Sequence, residues 1–282
     1  GRAKLALSDV PGATRDLDAG LALRPSLRDA LVARARIDLI SGAASTARRR
    51  LAPLLGQGRF DPEVAVVAAT AMRLTGDAAG ARGLIQRVVA LPDAAVLPDA
   101  FLELGQLERD AGDLVAARTA FARAAAGRPI DAKLEAARLL IDDGDPTGGR
   151  ATLESLVAAA PDDPRVLVEF ARIKILTGAL DGVDDLLARA GQRGAPSWQV
   201  ERERGRRALR AQRFEEAKVQ LEKATTTAAE DLEAHLLLLD ALAGMFATSG
   251  RSQSAAIAAQ VTQLQERILI RFPKAPERFL AT

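Results

Sequence analysis

Apolar residues follow one another along this chain at helical spacing, in blocks that end at a small turn residue. In the middle of the chain, for example, these residues are Leu97, Phe101, Leu104 and Leu107, which are four, three and three residues apart. This spacing places them on one face of an α-helix. The pair Gly112-Asp113 then interrupts the block, because glycine tolerates the positive φ angle that ends a helix and aspartate caps the next one. The pattern predicts a first helix over residues 98–110 and a second over residues 114–126.

The same two-helix block recurs about every 34 residues. The turn position is occupied in successive blocks by Ser8, Gly42, Gly76, Gly112, Gly144, Gly178 and Gln212, at steps of 34, 34, 36, 32, 34 and 34. Small residues stand at one equivalent place on the first helices, namely Ala35, Ala69, Gly105, Ala137, Ala171 and Gly205. A period this regular predicts an array of helical hairpins that share their cores with their neighbours.

The last block departs from this period. The sequence predicts a longer helix from Leu232 to about Thr248. It predicts a break after this helix, at Ser249-Gly250-Arg251-Ser252. A final apolar stripe follows, made of Ile257, Val261, Leu264, Ile268 and Phe272. We interpret residues 231–273 as a longer hairpin that caps the array. The alternative is that the stripe is a docking face for a partner helix.

Phe101 to Pro129 carries the most complete copy of the repeat, with Leu104-Gly105, Ala117, Phe121, Ala124 and Pro129 at fixed offsets. With these residues the chain resembles the tetratricopeptide repeat family, although Glu108 stands where a second aromatic residue is usual. The resemblance extends from Gly1 to about Ala229. It implies an all-α, right-handed superhelical solenoid of antiparallel helix pairs, whose first helices line a concave face that receives a partner segment. We expect one array over residues 1–282 with about seven hairpins, the first incomplete because Gly1 lies inside a first helix, which indicates a section of a longer protein.

Charged residues recur on the expected concave face. The residue after each small residue is Arg2, Arg36, Thr70, Gln106, Arg138, Arg172, Arg206 or Asp240, and three residues earlier stand Glu103, Glu135, Glu169 and Glu203. The arginines are suited to bind carboxylates of a partner. The alternative is that each arginine is held by its own glutamate and by that of the next repeat, in exposed pairs worth ~0.2–0.5 kcal/mol each.

Arg73 and Arg109 lie one helical turn further along and have no carboxylate partner in the repeat pattern. We therefore expect them to be freer for binding. The predicted partner-binding residues are Arg36, Arg73, Gln106, Arg109, Arg138, Arg172, Arg206, Glu135, Glu169 and Glu203.

Composition narrows the function. Lys plus Arg total 39 against 37 Asp plus Glu, and aromatic residues make up 3% of the chain, so neither a basic excess nor stacking residues favour nucleic-acid binding. Cysteine is absent, and the one histidine, His235, lies in an apolar helical segment. We predict no enzymatic activity, no cofactor and no metal site. No apolar run reaches the ~18 residues that cross a bilayer, so we predict no membrane insertion within this segment.

These observations predict a scaffold that binds a protein or peptide partner. The Arg- and Ala-rich composition suggests a bacterial source and a role in an envelope, secretion, polarity or motility assembly. The alternative is a structural spacer or regulatory segment of a larger multidomain protein, such as a secretion channel or an enzyme. The identity of the partner and the oligomeric state stay open, and the cytoplasm is preferred to the periplasm as the compartment.

Overall fold

The computed structural model describes residues 10–56, 60–93 and 97–272, and over these residues every regular element is an α-helix. The predicted turn at Ser8 and the residue Arg2 lie outside the described residues. Among the helices described, none has the length and apolar character that crossing a bilayer requires. The chain divides into two compact units, Gly1–Gly149 and Arg150–Thr282, which are described separately.

Unit 1 begins with the second helix of the first hairpin and continues through three complete hairpins and the first helix of another. From Val10–Leu23 to Pro129–Asp142, consecutive helices contact one another, and each first helix also contacts the following first helix of the unit. The described helices are α1 (Val10–Leu23), α2 (Arg28–Ile40), α3 (Ala44–Leu55), α4 (Pro62–Leu74), α5 (Ala78–Val89), α6 (Pro98–Asp110), α7 (Leu114–Ala124) and α8 (Pro129–Asp142), followed by α9 (Pro146–Ala159), which crosses into unit 2. The first helices are α2, α4, α6 and α8.

Unit 2 has the same arrangement. Its described helices are α10 (Pro164–Leu176), α11 (Val183–Gln192), α12 (Ser197–Arg210), α13 (Phe214–Thr227), α14 (Leu232–Thr248) and α15 (Arg251–Arg271). The first helices are α10, α12 and α14, and each again contacts the following one. The predicted all-α fold of paired helices is therefore confirmed, whereas the single array over residues 1–282 stays a prediction.

One backbone motif closes six of the first helices. The turn residue has a positive φ angle in each case, at Gly42, Gly76, Gly112, Gly144, Gly178 and Gln212. At the third of these turns the N–H of Asp113 donates to the carbonyl of Glu108 at 2.9 Å, and the N–H of Gly112 donates to that of Arg109 at 2.9 Å. These two bonds satisfy carbonyls that the helix end leaves unpaired. The motif recurs with the same bonds at Gln212, where φ is 56°, so the repeat imposes the turn even without glycine.

The small residues mark places where helices approach closely. A Cβ atom on Gly105 would lie under 3.0 Å from the ring of Phe121, and one on Gly205 would lie equally close to Leu221. Both opposing side chains are buried. Second helices carry alanine at one equivalent place, at Ala47, Ala81, Ala117 and Ala217. Gly149 stands there in its repeat and has the same explanation, since its Cβ would lie 2.9 Å from the carbonyl oxygen of Ala137. These glycines are therefore required by packing and not by backbone conformation.

The C-terminal hairpin pairs α14 with α15. The predicted stripe is turned toward α14: Ile257, Leu264 and Ile268 are buried in one core, and Val261 and Phe272 pack against it. This use of the stripe within the hairpin contradicts its interpretation as a free docking face. The predicted four-residue break is also shorter, because α15 begins at Arg251 directly after an extended Gly250. That the hairpin caps the array stays a prediction.

We predict that Gly105→Ala lowers the free energy of unfolding by about 1–3 kcal/mol, because the added methyl group meets the buried ring of Phe121. The matched control is Gly83→Ala on α5, where a Cβ meets nothing within 4 Å. Removing a helix-interior glycine there should be neutral or stabilise by up to about 1 kcal/mol. Urea unfolding followed by circular dichroism measures both, and equal effects of the two substitutions would contradict this account of the small residues.

Candidate functional site

The surface that carries the charged pattern of the first helices, here called the first-helix face, differs from the expectation in one respect. Its glutamates are buried and not exposed: Glu103, Glu135, Glu169 and Glu203 have between 0% and 5% of their surface accessible. Each lies two residues before a small residue, and at Gly105 and Gly205 that residue packs directly against a side chain of the second helix. A buried carboxylate is costly unless it is paired and hydrogen-bonded, so each of these glutamates needs partners from neighbouring residues.

In unit 1 the preceding first helix supplies these partners for Glu103. The hydroxyl of Thr70 donates to Oε2 at 2.8 Å, and Nε of Arg73 donates to Oε1 at 2.7 Å. The other nitrogens of Arg73 donate to Gln106 at 2.6 Å and to Asp110 at 3.2 Å. One arginine of α4 thus holds three acceptors on α6.

Glu135 on α8 is held in the same way. Gln106 donates to its Oε1 at 3.0 Å, and Arg109 donates to its Oε2 at 2.5 Å. Arg138, three residues further along α8, donates to Oε1 at 2.8 Å. Arg109 also has Asp142 at 3.9 Å. The network therefore runs from α4 through α6 to α8.

Burial sets the protonation behaviour of this network. It raises the pKa of Glu103 above its usual range, against the opposing effects of the Arg73 charge and the hydrogen bonds. Burial alone would lower the pKa of Arg73, but the charges of Glu103 and Asp110 raise it overall. Arg73 therefore stays a cation and is the group on which the charged form of Glu103 depends.

The expectation that Arg73 and Arg109 are freer than the other arginines is wrong. Their side chains are 13% and 19% exposed, and both donate to a buried glutamate of the next repeat. The physical reason is the contact between consecutive first helices, which places an arginine opposite the glutamate that lies 30 or 26 residues later. The sequence signal was a constant offset, because each separation equals the local repeat step, 36 or 32 residues, less six. By contrast, Arg36 is 40% exposed and contacts Glu63 at 3.1 Å.

Unit 2 contains a second cluster, which centres on Glu203 and Glu233. Nε of Arg202 and Nε of Arg206 donate to Glu203 at 3.0 and 2.8 Å. Glu233, on the first turn of α14, contacts Arg206 at 2.6 Å, Arg202 at 3.0 Å and Arg172 at 3.4 Å. Arg172 also donates to Glu169 at 3.3 Å. Three guanidinium groups thus converge on one carboxylate that is 37% exposed.

The predicted self-neutralisation of the charged pattern is confirmed for these pairs, but two central residues of unit 2 were not anticipated. Arg202 is 14% exposed and bridges Glu203 to Asp231, and it lies over the ring of Trp198 at 5.3 Å. Arg202 and Glu233 fall outside the positions that carry the repeat pattern. Their role depends on the approach of α14 to α12.

Electrostatics sets the pKa of Glu233. Burial would raise this pKa, but the charges of Arg202, Arg206 and Arg172 outweigh burial and lower it to about 2. Asp240, at the pattern position on α14, has a raised pKa because of burial, with a smaller opposing effect of Arg206. Glu233 therefore stays ionised down to acidic pH.

His235 occupies a structural position. Only 8% of its surface is accessible, its Nδ1 lies 2.9 Å from the carbonyl oxygen of Asp231, and its ring meets that of Phe272 edge to face. Burial lowers its pKa. No cluster of three or more potential metal ligands occurs within the described part of the chain.

Comparison with known proteins identifies the repeat. A family model described as "Tetratricopeptide repeat" matches residues 108–167. The predicted resemblance to tetratricopeptide repeat proteins is confirmed. This repeat fold typically serves as a non-catalytic scaffold for protein interactions.

Solved structures share the fold at low sequence identity. A tetratricopeptide repeat protein from Parabacteroides merdae is 15% identical, with a TM-score of 0.59 over 86% of this chain and 95% of that one. The Cut9 and Hcn1 hetero-tetramer of the APC/C gives a TM-score of 0.58 at 12% identity over 95% of this chain and 51% of that one. The human IFIT1 dimer with m7Gppp-AAAA gives a TM-score of 0.56 at 13% identity over 94% of this chain and 66% of that one. These likenesses concern the fold alone.

One curated relative is more similar in sequence. The chain is 35% identical over 173 residues to cellulose synthase operon protein C of Xanthomonas axonopodis pv. citri (strain 306). The matched region covers 56% of this chain. The match covers only 11% of that relative's length.

We predict that Arg73→Ala lowers the free energy of unfolding by about 3 kcal/mol, because it leaves the Glu103 carboxylate buried without its cation. The double variant Arg73→Met/Glu103→Leu should recover most of this loss, since it removes both charges. Arg118→Ala is the control: its side chain is 60% exposed and lies 3.5 Å from Asp143, so its effect should stay below about 0.5 kcal/mol. Chemical unfolding measures all three, and a double variant no more stable than Arg73→Ala would contradict the argument.

We predict a pH-dependent effect for Glu233→Gln. Because the pKa of Glu233 is lowered to about 2 in the folded chain, its stabilising contribution is present above the ordinary carboxyl pKa and is lost as the pH falls toward 2. The carboxylate is partly exposed, so we expect a loss of about 1–2 kcal/mol at pH 7.

Urea unfolding of wild type and variant at pH 7 and at pH 2.5 measures this difference, which should be much smaller at the lower pH. Glu266→Gln on the exposed side of α15 should change stability by less than about 0.5 kcal/mol at either pH. A Glu233→Gln effect of the same size at both pH values would rule out the ionic contribution.

Proposed function

We propose that the chain is a protein-interaction scaffold that binds a segment or domain of a partner protein on its first-helix face. The observation that carries this proposal is the hydrogen-bonded network on that face, in which buried glutamates hold arginines and glutamine in fixed positions. Fixed polar groups bind a partner with little loss of side-chain entropy. The residues proposed to form the binding face are Arg36, Arg73, Gln106, Arg109, Arg138, Arg172, Arg206, Glu135, Glu169 and Glu203.

These residues have two different roles in the proposal. The buried glutamates, together with Arg73 and Arg109, support the face from below. The more exposed side chains contact the partner directly: Arg36 is 40% exposed, Arg138 is 31% exposed and Arg172 is 28% exposed. Reversing the charge of Arg73 or Arg109 would therefore test folding and not binding, so the binding test needs the exposed positions.

We propose that this scaffold acts in a bacterial envelope assembly. The 35% identity to cellulose synthase operon protein C supports that setting, and secretion, polarity and motility assemblies remain within the same proposal. Because the match covers only 11% of that relative, the proposed role is that of one interaction segment within a larger machine.

A second candidate function is a structural spacer or regulatory segment of a larger multidomain protein. The internal pairing of the arginines favours it, because charges that satisfy one another leave fewer groups for a partner. This alternative predicts mainly intramolecular contacts across the first-helix face.

Site-specific photo-cross-linking distinguishes the two functions. A benzophenone amino acid is placed at Arg36 or Arg138 on the first-helix face, and for comparison at Val115 or Val219, which are 77% and 48% exposed on second helices. The chain is produced in a Xanthomonas strain that expresses the cellulose synthase operon.

Cross-links to another protein from Arg36 and Arg138, and not from the two valines, are the expected result. Intermolecular cross-links only from the valines would overturn the choice of face. Cross-links confined to the chain itself would favour the spacer.

A further inference from the structure

A row of exposed residues in unit 1 differs in chemistry from the arginines beside it. The residue two positions before each turn glycine lies on the last turn of its first helix, and these residues, here called the turn-proximal row, are Ile40, Leu74, Asp110 and Asp142. Ile40 and Leu74 are 42% and 47% exposed, and the side chains of Asp110 and Asp142 are 45% and 49% exposed. The row is therefore half apolar and half acidic.

The four residues lie on consecutive first helices of unit 1, in the order of the chain. Consecutive first helices of unit 1 contact one another. Arg73, next to Leu74, reaches Asp110 at 3.2 Å, and Arg109, next to Asp110, lies 3.9 Å from Asp142. At helix separations of about 8–10 Å, the row extends over roughly 25–30 Å, with its apolar half at the N-terminal side of the unit.

The charge that this row offers to a partner is negative. Arg73 and Arg109 are mostly buried and already hold Glu103 and Glu135. Around the acidic half, the four carboxylates of Glu103, Asp110, Glu135 and Asp142 face the three guanidinium groups of Arg73, Arg109 and Arg138. This cluster has one more negative charge than positive charges. Its most accessible charged groups are Asp110 and Asp142, so the charge that a partner meets is also negative.

We propose that the turn-proximal row binds a partner segment in which a group of apolar residues adjoins a group of lysine or arginine residues. The apolar part packs on Ile40 and Leu74, and the cationic part contacts Asp110 and Asp142. This inference rests on the proposed use of the first-helix face, and it replaces the expectation that the arginines bind partner carboxylates. An extended segment of about eight or nine residues spans the row at roughly 3.3 Å per residue.

The test uses three fluorescein-labelled peptides of nine residues and the full chain. The first carries three leucines in its N-terminal half and three lysines in its C-terminal half, with serine and glycine between them. In the second, glutamate replaces each lysine. The third has the composition of the first with leucine and lysine alternating. Anisotropy titration at low salt measures each affinity.

We expect the Leu–Lys peptide to bind at least tenfold more tightly than the Leu–Glu peptide and more tightly than the alternating one. Its affinity should fall several-fold when the salt concentration rises from 50 to 500 mM, because the proposed ion contacts are exposed. Asp110→Asn/Asp142→Asn and Ile40→Ser/Leu74→Ser should each weaken it about tenfold. The matched controls, Asp143→Asn and Val115→Ser, remove an exposed acid and an exposed apolar residue outside the row and should leave it unchanged.

Three results would overturn the proposal: no binding of the Leu–Lys peptide at millimolar concentration, equal or tighter binding of the Leu–Glu peptide, or control variants that weaken binding as much as the row variants. Thermal unfolding of each variant verifies that the fold is retained. Failure here together with cross-links from Arg36 and Arg138 would reject only the partner chemistry, whereas absence of those cross-links would reject the first-helix face itself.

Discussion

Close helix contact at the small residues is the constraint on which the rest of the structure depends. Where Gly105 meets the ring of Phe121 there is no room for a single methyl group, and comparable contacts recur in other repeats. On α6, α8, α10 and α12 the residue two positions before the small residue is a glutamate, and all four of these glutamates are buried. The charged network on the first-helix face is a consequence of that packing.

Once the glutamates are buried, the arginines have little choice of partner. A carboxylate without water is tolerated only when it is paired and hydrogen-bonded, and Glu103 obtains both from Thr70 and Arg73. Such buried pairs add little net stability compared with apolar packing, but breaking one is costly. Because the partners lie on consecutive first helices, the pairs also favour one register between repeats over others. We regard the network first as a device for alignment.

This view changes what the first-helix face offers to another protein. Arginines that hold internal carboxylates contribute shape and rigidity more than charge. Unit 1 then exposes apolar and acidic side chains at the helix ends, whereas unit 2 places a single carboxylate, Glu233, among three guanidinium groups. Two faces built from one repeat pattern thus differ in chemistry, which allows a scaffold to distinguish between partners.

The repeat, its turns and most of its helix boundaries could be predicted from the sequence. Their causes are local: a positive φ angle at Gly112, a capping carboxylate at Asp113 and apolar residues at helical spacing are all encoded within one block. The predicted helix over residues 98–110 agrees with α6, and the second ends two residues earlier than predicted.

Which charged groups are accessible, by contrast, depends on tertiary packing. Arg73 and Glu103 are 30 residues apart, and Arg202 and Glu233 do not occupy pattern positions, so their pairing depends on the offset between packed helices. That offset is set by side-chain volumes at several contacts together. Sequence periodicity can therefore locate the face, while the burial that makes Arg73 and Arg109 poorly accessible follows from packing.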